Sequence, residues 1–391
     1  MNSQQIKSLD QTYVAHTYGR FDLALVQGSG ATAADAEGNQ YIDFGSGIGV
    51  NSLGYSDPQW AEAVAKQAAL LNHTSNLYYT QPDVLLAQAL CQRSGMKRVF
   101  FGNSGAEANE GAIKAARKYS FEKYGPDRYE IITLVNSFHG RTMATLTATG
   151  QESFHNYFFP FNEGFAYAAA NDMEDVKAKT TPKTCAILLE MVQGEGGVIP
   201  LDRDFVRQVA EYCKEKDLLL LVDEVQTGIG RTGSFFAYQQ FGIQPDIVSC
   251  AKGLGGGLPI GGVLFSEKTQ DVLGGGDHGS TFGGNPVVCA GANVVMERLD
   301  DAFLDEVKSK GTYLKEKLEQ MDNVESVTGL GLMIGVQLKK GDAKSAAGAC
   351  IQKGLLVLTA KSKVRFLPPL TITYEEIDEG LKRFESAINS L

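Results

Sequence analysis

The sequence predicts an α/β protein: a large, mainly parallel sheet with helices on both faces, joined to a smaller α+β part. Three observations carry that expectation. Short apolar runs alternate with helical patterns through the middle of the chain, the rhythm of successive βαβ units. Several of these runs are continuous, as strands buried on both faces read. In the last quarter the rhythm gives way to amphipathic helices and strands punctuated by glycine.

The predicted strands of the large sheet are Arg98–Phe101, Ile131–Val135, Cys185–Leu189, Leu218–Val222, Ile247–Ser249 and Gly261–Phe265. Phe205, Val206, Val209, Ala210 and Cys213 recur at helical spacing and predict a helix over Arg203–Lys216. Further on, Ala302–Met321 and Tyr374–Leu391 are predicted helices, and Val324–Val327, Leu332–Leu338, Leu355–Leu358 and Val364–Phe366 predicted strands. Near the start, Ala31–Ala36 and Gln40–Phe44 read as a hairpin split by Glu37-Gly38-Asn39. A length of 391 residues suggests two domains. The expected boundaries are 1–55 for an N-terminal segment packing on the small domain, 56–285 for the large cofactor-binding domain and 286–391 for the small C-terminal domain.

A formal net charge of −10 disfavours nucleic acid or an anionic membrane as partner. No apolar run approaches the ~20 residues that span a bilayer. The start, Met1-Asn2-Ser3-Gln4-Gln5, is polar and lacks a signal core. Six cysteines are scattered without a C-x-x-C pair and five histidines lack ligand spacing, so neither a disulfide framework nor a metal site is expected. The expected setting is cytoplasmic, soluble and reducing.

Lys252 lies in Ser249-Cys250-Ala251-Lys252-Gly253-Leu254, just after an apolar run and among small residues. A desolvated lysine there suits imine formation with a carbonyl and proton transfer. About one βα unit earlier, Asp223-Glu224 ends another apolar run, at the strand end where open α/β sheets bind ligands. A carboxylate in that place can pair with a cationic ring nitrogen, and the two residues together suggest a pyridoxal phosphate site. Either acid could instead cap the next element or pair with Arg231.

Phe100-Phe101-Gly102-Asn103-Ser104-Gly105-Ala106-Glu107 leaves a strand and enters a helix. Ser104 and Glu107 fit a capping box, and Gly105 and Ala106 would expose N–H groups to an anion. By itself the segment also reads as an ordinary capped helix. Phe138-His139-Gly140-Arg141-Thr142 follows another strand, with an aromatic that can stack on a planar ring and an arginine that can clamp a carboxylate. Arg365, inside the apolar Val364-Arg365-Phe366-Leu367-Pro368, needs a partner if buried. Glu190 and Glu195 follow the run Cys185–Leu189, and Ser280 and Thr281 offer hydroxyls in a turn. Two G-x-G-x-x-G matches, Gly228–Gly233 and Gly274–Gly279, raise an NAD-linked oxidoreductase as the alternative. The first begins several residues past its strand, not at the tight strand–helix turn that a dinucleotide loop needs.

These motifs, in this order, resemble the class III aminotransferases of the fold-type I pyridoxal phosphate superfamily. The carriers are Asn103–Glu110, Phe138–Thr142, Asp223–Gly228, Lys252 and Ser280–Pro286. The resemblance implies that Lys252 is the catalytic lysine, that Asp223 pairs with the ring nitrogen and that Gln226 contacts the ring hydroxyl. It implies that Phe138 stacks on the ring and that Ser104, Gly105 and Ala106 cradle the phosphate. Thr281 is expected at the phosphate of a neighbouring subunit, which implies a homodimer with shared sites. Arg141 is expected on the donor's α-carboxylate with Ser280 nearby, Arg365 on the carboxylate of 2-oxoglutarate, and Glu195 as an acid that neutralises Arg365 while the amine is bound. The donor so implied is an ω-amine, N2-acetylornithine foremost, with succinylornithine, ornithine and 4-aminobutyrate as alternatives. Met191 stands where the family commonly has proline.

Overall fold

The computed structural model describes residues 1–391. A seven-stranded sheet runs through its centre, in the spatial order Arg98–Gly102, Gly261–Phe265, Ile247–Cys250, Leu219–Asp223, Thr184–Leu189, Glu130–Leu134, Phe165–Ala168. Gly261–Phe265 is antiparallel to both neighbours; the remaining strands share one direction. Every residue of Thr184–Leu189 and Leu219–Asp223 is buried, which is why these strands read as unbroken apolar runs. The strand Phe165–Ala168 was not expected: it is short, only partly buried, and owes its pairing to the parallel neighbour Glu130–Leu134.

Helices cover the sheet. Arg203–Glu215 buries Phe205, Val206, Val209, Ala210 and Cys213, the predicted stripe. Gly105–Tyr124 lays Ala108, Ala112, Ile113, Ala115 and Ala116 inward, small side chains that let the helix lie close over the strands. Pro286–Arg298, capped by Asn285 and opened by proline, packs against both Pro58–Leu70 and Gln81–Ser94.

Two smaller sheets flank this body. One has the order Val324–Leu330, Met333–Leu338, Lys363–Phe366, Leu358–Ala360 and is antiparallel throughout. The other joins Leu25–Ser29, Thr32–Asp35 and Gln40–Asp43 to Leu355–Leu356. The single strand expected over Leu355–Leu358 is therefore two. The chain changes sheets at Val357, because one backbone edge cannot ladder with both neighbours. No helix is long and apolar enough to cross a membrane.

Candidate active site

A cavity of about 470 Å³ opens at the carboxyl ends of the central strands, where ligands of open α/β sheets bind. Ser104, Gly105, Ala106, Phe138, Arg141, Asp223, Gln226 and Lys252 all line it. These residues come from four separate segments of sequence, gathered because their strands end on one edge of the sheet.

One end is an anion cradle. Ser104 Oγ accepts the Glu107 N–H at 3.1 Å and the Ser104 carbonyl accepts the Ala108 N–H at 3.0 Å. The N–H groups of Gly105 and Ala106 are left without an intrahelical acceptor at the cavity wall. A Cβ on Gly105 would stand 2.6 Å from Val225, so glycine is needed for this close approach. The capping box is modified. The Glu107 carboxylate reaches back past Ser104 and accepts from the Asn103 N–H at 2.6 Å.

Asp223, also in the cavity wall and 4% exposed, is held by three groups. Its Oδ2 lies 2.7 Å from Asn109 Nδ2 and 2.8 Å from His139 Nδ1, and its Oδ1 accepts the Val225 N–H at 2.9 Å. Asn109 is fixed in turn by Ser249 Oγ at 2.5 Å. Sequence reasoning assigned no role to Asn109, His139 or Ser249. Asn109 lies one helical turn beyond Gly105, on the same face, and that spacing was the available signal. His139 Nε2 is buried with no partner.

Glu224, the neighbouring acid, serves the fold. Its carboxylate accepts from Thr227 Oγ1 at 2.6 Å and from the Tyr238 N–H at 2.8 Å, and burial pushes its pKa up to about 7. The suggested pairing of either acid with Arg231 does not occur. Arg231 donates instead to the carbonyls of Leu332 at 3.1 Å and Pro368 at 2.5 Å, and burial lowers its pKa to about 9. The loop Gly228–Gly233 starts no helix, so the backbone of a dinucleotide site is missing there.

Lys252 follows the strand Ile247–Cys250 in a left-handed conformation, φ +44°, a strained state for a residue with a side chain. Ser52 Oγ, donating to the Gly253 carbonyl at 3.0 Å, pins the loop. Burial pushes the Lys252 ammonium below its usual pKa, against the opposing pull of Glu195. Phe138 is half-buried, and its N–H donates to Glu190 Oε2 at 3.0 Å. Burial, reinforced by Asp223, raises the Glu190 carboxyl well above the usual range.

Arg365, 3% exposed, arrives from the middle of the antiparallel sheet. Its Nη1 donates to Glu195 Oε1 at 2.6 Å and to Gln226 Oε1 at 3.0 Å, while its Nε is buried and unpaired. Gln226 Nε2 closes the triangle on Glu195 at 3.3 Å, so the amide expected on a ring hydroxyl is engaged with this ion pair. Burial opposes ionisation of Glu195, but Arg365, together with Lys252 and Gln226, outweighs it and holds the carboxyl below its usual value. Ser280 Oγ accepts from Asn103 Nδ2 at 3.1 Å, at the cavity rim, whereas Thr281 is exposed and does not line this chain's own cavity. Arg141 is exposed at the mouth.

The donor set fits pyridoxal phosphate. Free N–H groups at a helix start, a half-buried aromatic, an oriented carboxylate and a buried lysine match its phosphate, ring face, ring nitrogen and aldehyde. Fold and site define a pyridoxal phosphate-dependent aminotransferase. The chain matches the aminotransferase class-III family model over residues 13–388, and it belongs to that family. It is 56% identical to the acetylornithine aminotransferase of Haemophilus ducreyi, over 97% of this chain and 98% of that one. Among solved structures it resembles N-acetylornithine aminotransferase from Stenotrophomonas maltophilia (TM-score 0.85, 37% identity, 98% of each chain). It also resembles ornithine aminotransferase from Toxoplasma gondii (TM-score 0.95, 30% identity, 100% of this chain and 96% of that one).

Proposed function

We propose that this enzyme transfers the ω-amino group of N2-acetylornithine to 2-oxoglutarate, giving N-acetylglutamate semialdehyde and glutamate, in cytoplasmic arginine biosynthesis. The relatives named acetylornithine aminotransferase support the donor. The observation that carries the two-substrate reading is the ion pair between buried Arg365 and half-buried Glu195, at 2.6 Å, beside the cavity.

Bound pyridoxal phosphate supplies an electron sink for the pair left when the amine-bearing carbon loses its proton. Lys252 Nζ takes that proton from Cδ of the donor, and its lowered pKa enlarges the fraction of neutral amine able to do so. Phe138 and Asp223 fix the ring; Gly105 and Ala106 hold the phosphate with Ser104 capping their helix. Arg141 holds the donor's α-carboxylate, with Ser280 at the rim. While the amine is bound, Glu195 neutralises Arg365. When the keto acid enters, Glu195 turns aside and Arg365 binds its carboxylate, and Lys252 returns a proton to C2.

In Glu195→Ala the freed Arg365 guanidinium competes for the donor's carboxylate. Stopped-flow measurement of the separate half-reactions should find the amine half slowed about tenfold relative to the 2-oxoglutarate half, a bias of ~1.4 kcal/mol. Equal slowing of both halves removes the switch. Specificity constants for acetylornithine, succinylornithine, ornithine and 4-aminobutyrate test the donor itself. Preference for ornithine or 4-aminobutyrate would overturn the assignment.

The working unit in this proposal is a homodimer, with Thr281 reaching the partner's phosphate. Two observations support it: Thr281 lies outside its own cavity, and Phe282, Leu77, Tyr78 and Tyr79 are exposed at 61%, 80%, 73% and 100%. Soluble monomers rarely leave such patches uncovered. Lys252→Ala and Thr281→Glu subunits, each inactive alone, should regain up to about half the wild-type rate per mixed dimer, because one native site is rebuilt. A mixture that stays inactive while forming mixed dimers rules out sharing.

A further inference from the structure

Arg141 makes no hydrogen bond or ion pair within the chain, yet it is not loose. Its Cζ sits 4.0 Å from the centroid of the Phe154 ring and 5.6 Å from that of Phe138. The two rings meet edge to face, 5.9 Å apart at 69°. Phe154 ends a short 3-10 turn, Glu152–Phe154, that is itself anchored. The Phe154 N–H donates to the Gln151 carbonyl at 3.0 Å, and the buried Gln151 side chain donates to the Ser137 carbonyl at 3.0 Å, beside Phe138. His155 Nε2 ties the far side of the turn to the Leu146 carbonyl at 3.0 Å.

We propose that Phe154 is a positioning residue that holds the Arg141 guanidinium ready for the donor's carboxylate, and so helps set the enzyme's preference for donors bearing one. Stacking uses the guanidinium's face and leaves its edge N–H groups free, and that edge is where a carboxylate binds bidentately. An arginine already held against a ring gives up less rotamer freedom when the carboxylate arrives. Phe154 touches no reacting atom; it acts through Arg141. The inference rests on the assignment of Arg141 to the donor's α-carboxylate.

The test uses holoenzyme and N-acetylnorvaline, which is acetylornithine without its δ-amine and so binds without reacting. By calorimetry, Phe154→Leu should weaken N-acetylnorvaline about fivefold, in line with a lost cation–π contact, and raise the KM for acetylornithine by a like factor. The kcat should fall less than twofold, and Phe154→Tyr, which keeps the ring, should restore both values. Unchanged N-acetylnorvaline affinity in Phe154→Leu overturns the proposal. So does a fall in kcat or in cofactor affinity without a change in that affinity, which would assign Phe154 to the support of Phe138. Arg141→Lys separates the two levels. If it weakens N-acetylnorvaline and Phe154→Leu does not, the positioning role alone fails; if it does not, the assignment of Arg141 fails and the positioning role with it.

Discussion

Lys252→Ala is expected to lower kcat by about 10⁴-fold or more, since it removes the group that moves the proton at the reacting carbon. The borohydride-sensitive absorbance of the holoenzyme should disappear with it. The structure gives the reason for so large an effect. Lys252 is presented from a loop in the left-handed conformation, pinned by Ser52, with an ammonium destabilised by burial. No other lysine lines the cavity, so nothing in the chain stands ready to replace it. Single-turnover measurement of amine formation is the check. A variant that keeps a tenth of wild-type turnover would move the chemistry to another residue.

Asp223→Asn is expected to have the next largest effect, a loss of about 10²–10³ in turnover together with weaker cofactor binding. Removing one member of a buried charge pair costs roughly 3–5 kcal/mol, and Asn cannot pair with a cationic ring nitrogen. The substitution preserves volume, and the one remaining carbonyl oxygen can keep the bond of Oδ2 with Asn109 or that of Oδ1 with the Val225 N–H. The fold should therefore survive, with near-ultraviolet circular dichroism unchanged. A change of less than about fivefold in turnover would mean that the ring nitrogen is not paired with Asp223.

The central sheet was legible because burial on both faces leaves continuous apolar runs, as in Thr184–Leu189 and Leu219–Asp223. The capped helix start at Ser104 was legible because it has a local pattern, although the Glu107 carboxylate takes the Asn103 N–H in place of the Ser104 N–H. Phe165–Ala168 was not legible, since a short edge strand takes its identity from the neighbour it pairs with. The break at Val357 was hidden for a related reason: two sheets claim adjacent residues.

The site divides along the same line. Lys252, Asp223, Phe138 and Arg141 each stand beside a recognisable strand end, so residue type and local context were enough to single them out. Glu195 and Arg365 are 170 residues apart in sequence, and only the meeting of the antiparallel sheet with the cavity wall sets them 2.6 Å from each other. Asn109 and His139 converge on Asp223 from separate segments, with Ser249 from a third fixing Asn109, and Phe154 reaches Arg141 through a turn tied down by Gln151. Chemical character is local and is carried by side chains in order along the chain. Orientation, pairing and shifted proton affinity arise from long-range packing that excludes water, and they came into being only when the chain closed on itself.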